Sequence, residues 1–215
     1  MAADELEIVN QALRHLGESR MLTSGDGTAA DIVETDTPQG RGAIAFYVEA
    51  RREVLRAYPW PFARKYALLA LASDGTGELW EDEWDFAYTY PVDCLQILRF
   101  ITVRGANDAF PPRYDIGSFD DVKVIFTDVI EDEAKVLYIE DVEDPLRFPP
   151  ILDTALAWCL ASKLSMLLGT DPKLRDWCLQ QYLIAVSLAQ RIEGNEGGPH
   201  PTWRDESSYT RSRFI

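Results

Sequence analysis

Apolar residues recur at three- and four-residue intervals in four stretches of the chain, and at shorter intervals between the second and third. Leu6, Val9, Leu13 and Leu16 mark a helix over residues 5–16, with Asp4 as an N-cap signal three before Glu7 and Gly17 as the stop. Residues 19–39 hold Gly25, Gly27, several Asp and Thr residues and Pro38, and predict a connecting loop. A second helix is predicted from about Pro38 to Tyr58. Its apolar stripe, Ile44, Tyr47, Val48, Arg51, Val54, Leu55 and Tyr58, is edged by charge, and Pro59 and Pro61 end it.

From Phe62 to Val142 the period shortens. Tyr66 to Ala72, Trp84 to Tyr90, Leu95 to Val103, Val122 to Thr127 and Lys135 to Val142 are β-compatible runs separated by Gly-, Asp- and Pro-rich turns. The last two are expected to pair as a hairpin across the acidic link Asp128 to Glu133, and Gly105 to Phe119 reads as a long loop. Pro149 and Pro150 then open a strongly apolar helix carrying Leu152, Ala155, Leu156, Cys159, Leu160, Leu164 and Leu167 as far as Gly169. Asp171 and Pro172 start a fourth helix at once. Its stripe, Leu174, Trp177, Cys178, Gln181, Ile184, Ala185 and Leu188, runs to about Ile192.

The predicted fold class is α+β, mainly α. Two N-terminal and two C-terminal helices form a four-helix bundle (residues 1–61 and 149–194), a β-rich subdomain (62–148) is inserted between the helix pairs, and residues 195–215 form an extended C-terminal arm. In that arm Trp203, Tyr209 and Phe214 alternate with Arg204, Arg211 and Arg213. These are the residue types enriched at interface hot spots, so the segment reads as a docking arm.

Charge narrows the partners. Of 215 residues 36 are acidic and 21 basic, a formal net charge of −15, which opposes adhesion to nucleic acid or an anionic membrane. No stretch reaches the roughly twenty apolar residues of a membrane span, and the N-terminus carries Asp4, Glu5 and Glu7 where a secretory leader has positive charge. Cys94, Cys159 and Cys178 are odd in number and set in apolar runs. They read as core residues of a chain made in a reducing cytoplasm.

Catalytic chemistry has little to stand on. Only His15 and His200 exist, which gives neither a triad nor a histidine metal site a basis. The carboxylates Glu78, Glu81, Asp82, Glu83 and Asp85 lack the glycine-centred spacing of a calcium loop and read as a solvated acidic loop. Neither Gly25-Asp26-Gly27 nor Gly40-Arg41-Gly42 follows a strand or continues into a phosphate-binding consensus. No catalytic residue, metal or cofactor is expected. Arg51, Arg52, Arg56 and Arg64 form the densest basic patch, and they are expected to pair with an acidic neighbouring chain or subunit rather than with phosphate.

What stands out instead is a pair of aromatic-proline corners. Tyr58-Pro59-Trp60-Pro61-Phe62 is expected to redirect the chain from helices to strands, and Tyr90-Pro91-Val92-Asp93 to turn it between strands, so Trp60, Pro61, Tyr90, Pro91 and Asp93 are structural candidates.

With the early helix Glu7 to Glu18, the Gly/Asp/Ala loop, a helix from Glu49 to Tyr58 ending in the Pro59-to-Ala63 corner, the Tyr88-to-Asp93 turn, a β region and two final helices, the order resembles the head-to-tail adaptors of tailed bacteriophages. Within these it is most similar to the tail tubular protein A group of short-tailed phages. The paired prolines around Trp60 and the length of the acidic middle depart from that pattern, which leaves the tail type open. The resemblance implies a non-catalytic virion protein of the neck or tail. It implies a ring of twelve copies bound below the portal protein, which attaches the next tail component, a nozzle or tail tube. DNA would pass through the lumen without sequence-specific contact. Two alternatives stay open at this stage: a ring-forming completion protein elsewhere in the tail, and a metal-dependent nuclease using Asp85 and Asp93.

Overall fold

The Asp4 side chain accepts the Glu7 amide at 2.7 Å, capping helix α1 (Glu5–His15), and Gly17 turns the chain away with a φ of 78° that suits glycine. This is the computed structural model of the protein, which describes residues 4–19, 21–78, 80, 82–101, 112–130 and 133–196. The connection after α1 is tied down by Asn10, whose amide exchanges two hydrogen bonds with the backbone of Leu22. Thr37 then caps α2 (Pro38–Arg56) by accepting the Gly40 amide at 3.1 Å. Pro59 disfavours helical geometry at Tyr58, and α2 stops two residues short of the predicted end.

A 3-10 turn at Pro61–Ala63 leads into β1 (Arg64–Leu68), followed by β2 (Leu71–Ser73), β3 (Phe86–Thr89), β4 (Cys94–Ile101), β5 (Tyr114–Phe119), β6 (Val122–Thr127) and β7 (Lys135–Glu140). A second 3-10 turn, Pro145–Arg147, precedes α3 (Pro150–Leu167) and α4 (Pro172–Glu196). The described residues thus form a mixed α+β fold with four helices and two antiparallel sheets.

The sheets run β1-β7-β4 and β2-β3-β6-β5. Three sequence expectations are corrected by this topology. The run Tyr66 to Ala72 is two strands, because the chain crosses between sheets at Leu69 and Ala70. The acidic link Asp128 to Glu133 joins no hairpin, since β6 and β7 lie in different sheets. The hairpin is instead β5 with β6, through Asp120 and Asp121 at φ 50° and 61°, the left-handed pair of a tight two-residue turn. Residues 114–119 are therefore strand rather than loop. Asp115 and Gly117 weaken the β signal there, yet Gly117 is needed: a Cβ would stand 2.7 Å from the Phe126 ring across the pair.

Two hydrophobic clusters result. The larger draws on all four helices together with Trp60, Ala63, Ile139 and Val142; the smaller lies between the sheets, with Leu69, Tyr88, Ile97, Phe100, Ile125, Val136 and Tyr138. Strand β7 faces both, since its neighbours Tyr138 and Ile139 point to opposite sides and into different clusters. That is why residues 136–139 are an unbroken apolar run. Strand β4 does the same by bulging twice. Ile97 and Phe100 belong to the smaller cluster, while Leu95 and Leu98 pack on the larger.

Among the helices α3 is central, packing against α1, α2 and α4, and its apolar residues are spread around the helix rather than gathered on one face. It passes close to α2 at Gly42, where a Cβ would meet Leu164 and Leu167 at 2.7 Å.

Candidate functional site

Trp60 is fully buried, and its indole N–H donates to the Val54 carbonyl at 2.9 Å. That carbonyl lies in the last turn of α2, where it also accepts the Ala57 amide at 3.2 Å and the indole fills its second acceptor position. Tyr58 packs edge-on against the Trp60 ring at 5.0 Å, the Phe62 ring centroid lies 6.4 Å from that of Trp60, and Phe62 reaches Phe148 just before α3. Pro61 opens the 3-10 turn. The first corner thus joins the end of α2, the start of β1 and the approach to α3.

At the second corner, the Cys94 amide closes a turn on the Pro91 carbonyl, and Lys123 sits 3.5 Å over the Tyr90 ring. Asp93 accepts from Lys65 of β1 at 2.6 Å and from the Tyr138 hydroxyl of β7 at 2.9 Å. Lys65 also binds Glu140, which Arg147 of the second 3-10 turn engages from the other side. Burial would raise the pKa of the Asp93 and Glu140 carboxyls, but the hydrogen bonds from Lys65, Tyr138 and Arg147 outweigh it and hold both below the usual range. Burial and the bond to Asp93 push the Tyr138 hydroxyl up to about 12. Asp93 is a bridging carboxylate, saturated by partners from two strands.

Two arginines of the basic patch are paired inside the chain. Arg51 and Arg52 both pair with Asp141, at 3.1 and 2.7 Å, and Arg64 donates to the Pro59 carbonyl. The expectation that these arginines pair with an acidic neighbouring chain or subunit is corrected for Arg51 and Arg52, while Arg64 makes no ion pair among the described residues. Arg56 makes no ion pair among the described residues. Sequence reading missed Asp141, Glu140, Lys65 and Arg147 as a network, because the partners lie far apart in the chain and carry no local motif.

The predicted stripes of α2 and α4 are corrected as well. On α2 the buried face is Ala43, Tyr47, Ala50, Arg51, Val54 and Leu55, and Ile44 and Val48 are left 37% and 42% exposed. On α4 the buried face is Cys178, Tyr182, Ala185, Val186 and Ala189, while Trp177, Ile184 and Leu188 stay 45%, 58% and 47% exposed. The reason is geometric. Helix α4 carries more apolar residues than one contact with α3 can cover, so Tyr182 and smaller residues pack inward while the other large ones flank them.

Around α4 the order is clear from the spacing of about 100° per residue. On one side, Leu179 and Leu183 border the buried stripe. Asp176, Gln180, Ser187 and Arg191 form an outer polar ridge. Beyond it, Trp177, Ile184, Leu188 and Ile192 form a second exposed apolar flank. Trp177 meets Trp158 edge-on, and Trp158 stacks on His15 of α1. Between α2 and α4 runs an open groove of about 750 Å³, lined by Ala45, Val48, Glu49, Arg52, Arg56 and Tyr182 among others. Lys163 bridges Glu49 and Glu53 at its rim, 2.8 Å from each.

No group of His, Cys, Asp or Glu among the described residues has the geometry to hold a metal ion, and no helix is long and apolar enough to cross a membrane. Cys159 and Cys178 are buried, and burial pushes the Cys159 thiol up to about 12, far from a reactive thiolate. The docking candidates Trp203, Arg204, Tyr209, Arg211, Arg213 and Phe214 lie outside the described residues. No protein-family model matches the chain, nor does any curated protein.

Proposed function

We propose that the protein is a structural head-to-tail adaptor of a tailed bacteriophage, forming a ring of twelve copies below the portal that extends the DNA channel and attaches the tail. In this reading the four helices act as one bundle, residues 62–148 are its inserted β-rich unit, and residues 195–215 reach the portal. The observation that carries it is the pair of apolar surfaces on α2 and α4 that the fold leaves uncovered. Contiguous exposed apolar area marks an interaction surface, and a subunit of a ring needs two.

Two further features support the reading. The corners at Trp60 and Asp93 tie helices to sheets through a buried indole and a shared set of ion pairs, which suits a part whose work is to hold an angle. The net charge of −15 suits a channel wall, since phosphate contacts that release counterions would slow passing DNA. Acidic side chains of the β region or its loops line the bore in this arrangement. A cryo-electron map of the particle neck tests it directly: a ring of this chain against the portal is expected. A neck without it, or a ring with a broadly positive bore, would overturn the reading.

A further inference from the structure

We infer that the pocket between the start of α1, the loop at residues 26–28 and the second 3-10 turn is a seat for the chain's own C-terminal segment, with Arg211 and Arg213 on its carboxylates and Phe214 on its apolar wall. The pocket is an open cavity of about 500 Å³ whose lining includes Asp4, Glu5, Asp26, Glu143 and Asp144 and, among the described residues, no basic side chain. Asp4, Glu5, Asp26 and Asp144 make no ion pair among the described residues; their partners are backbone amides and the hydroxyls of Ser24 and Thr28. The cations nearby are engaged elsewhere. Arg51 reaches Glu143 at 3.6 Å but lies closer to Asp141, which Arg52 also holds, and Arg147 turns to Glu140. Carboxylates gathered around a concave surface focus a negative field that draws a cation from outside it. Leu146, 69% exposed, forms the apolar wall with Pro145.

Two observations name the occupant. The first is charge. The chain is acidic overall, yet residues 207–215 hold Arg211 and Arg213, Tyr209 and Phe214, and no acidic side chain. In an extended segment residues two apart share a side, so the two guanidiniums would meet the carboxylates together while Phe214 is left for Leu146 and Pro145. The second is where α4 ends. A Cβ on Gly194 would stand 3.3 Å from the Tyr58 hydroxyl, which places the end of the helix at the first corner. At that corner the Phe62 carbonyl accepts a hydrogen bond from Arg147 of the second 3-10 turn, and Pro145 and Leu146 of the same turn line the pocket. Residues 197–215 begin with Gly197, Gly198 and Pro199, which suit a reversal of the chain, and extended they span about 60 Å, enough to reach the seat. A tether of this kind holds its end at an effective concentration in the millimolar range, above that of a partner free in solution. The inference stands apart from the adaptor reading, in which the portal would draw the same segment out of this seat.

Thiol pairing in the full chain tests the contact. Leu146→Cys and Ser212→Cys are introduced together in a Cys94→Ser background, Cys159 and Cys178 being buried, and thermal melts confirm that each variant folds. A reference chain carries Met166→Cys in place of Leu146→Cys; Met166 is 70% exposed and lies roughly 25 Å along α3 from the end next to the pocket. In a glutathione buffer at about 5 µM chain, the intrachain disulfide to residue 146 should show an effective thiol concentration about tenfold above that of the reference pair. Adding Arg211→Glu with Arg213→Glu should remove the excess. Equal values for the two pairs, or an excess that survives the charge reversal, would overturn the inference. Disulfides between chains in place of the intrachain one would give the seat to a second copy and overturn the assignment to the chain's own segment. The neck map bears on the adaptor reading alone, so the two can fail separately.

Discussion

The indole nitrogen of Trp60 and the carbonyl of Val54 are 2.9 Å apart, six residues along a chain that has meanwhile left its helix and passed Pro59. The bond closes the open end of α2 with a side chain held by the next element, so helix and corner stabilise each other. Trp60→Ala removes the bond and leaves a cavity ringed by Tyr58 and Phe62, and a loss of about 3 to 5 kcal/mol is expected. Denaturant unfolding measures it. A change below about 1 kcal/mol would show the corner to be ornamental, since surface substitutions fall in that range.

Asp93 offers a test by pH. Its folded pKa and that of Glu140 are depressed, so their contribution is complete above the unfolded values near 4 and is lost as pH falls through the lower folded values. Stability should drop in that acid window, and less steeply for Asp93→Asn. Because the Asp93 and Lys65 side chains are 37% and 45% exposed, the cost of the substitution at neutral pH is about 1 kcal/mol or less. The same variant examines the nuclease alternative. Cleavage of DNA by the wild type, abolished in a folded Asp93→Asn chain, would replace the structural role with a catalytic one.

Arg51 and Asp141 are both nearly buried, at 5% and 9% exposure of their side chains. Arg51→Met strands part of a buried carboxylate, although Arg52 still holds its other oxygen. A loss of about 3 kcal/mol is expected, at the lower end for a broken buried pair. Restoring stability by adding Asp141→Leu would confirm that the cost is the orphaned charge rather than lost packing; equal melts for the single and double variants would point to packing.

The β5–β6 turn can be improved. Asp120 and Asp121 both adopt positive φ, which costs side-chain-bearing residues energy that asparagine and glycine largely avoid. Asp120→Asn with Asp121→Gly should stabilise the protein by about 1 kcal/mol. A fall in melting temperature would contradict the turn geometry.

Removing residues 199–215 deletes Trp203, Arg204, Tyr209, Arg211, Arg213 and Phe214 and leaves every described contact of the helices and sheets in place. The truncated chain should melt like the full one and fail to join portal-filled heads. Normal head sealing by the truncated chain would remove the docking role from the arm.

The sequence by itself determined the local devices. Asp4, Thr37, Pro38, Pro150 and Pro172 act within a few residues, so the helix starts they specify can be read from neighbours alone. The run Val122 to Thr127 was equally legible as a strand. Tertiary structure alone decided which strands pair and which helix faces are covered. Alternation in β6 and β7 is compatible with a hairpin, and only packing of Tyr138 on one core and Ile139 on the other puts them in separate sheets. Periodicity likewise marks Ile44, Val48, Trp177, Ile184 and Leu188 as apolar without saying what covers them. Burial depends on the shape of the neighbour, and here Tyr182 and the small residues of α4 are covered while Trp177, Ile184 and Leu188 stay at the surface.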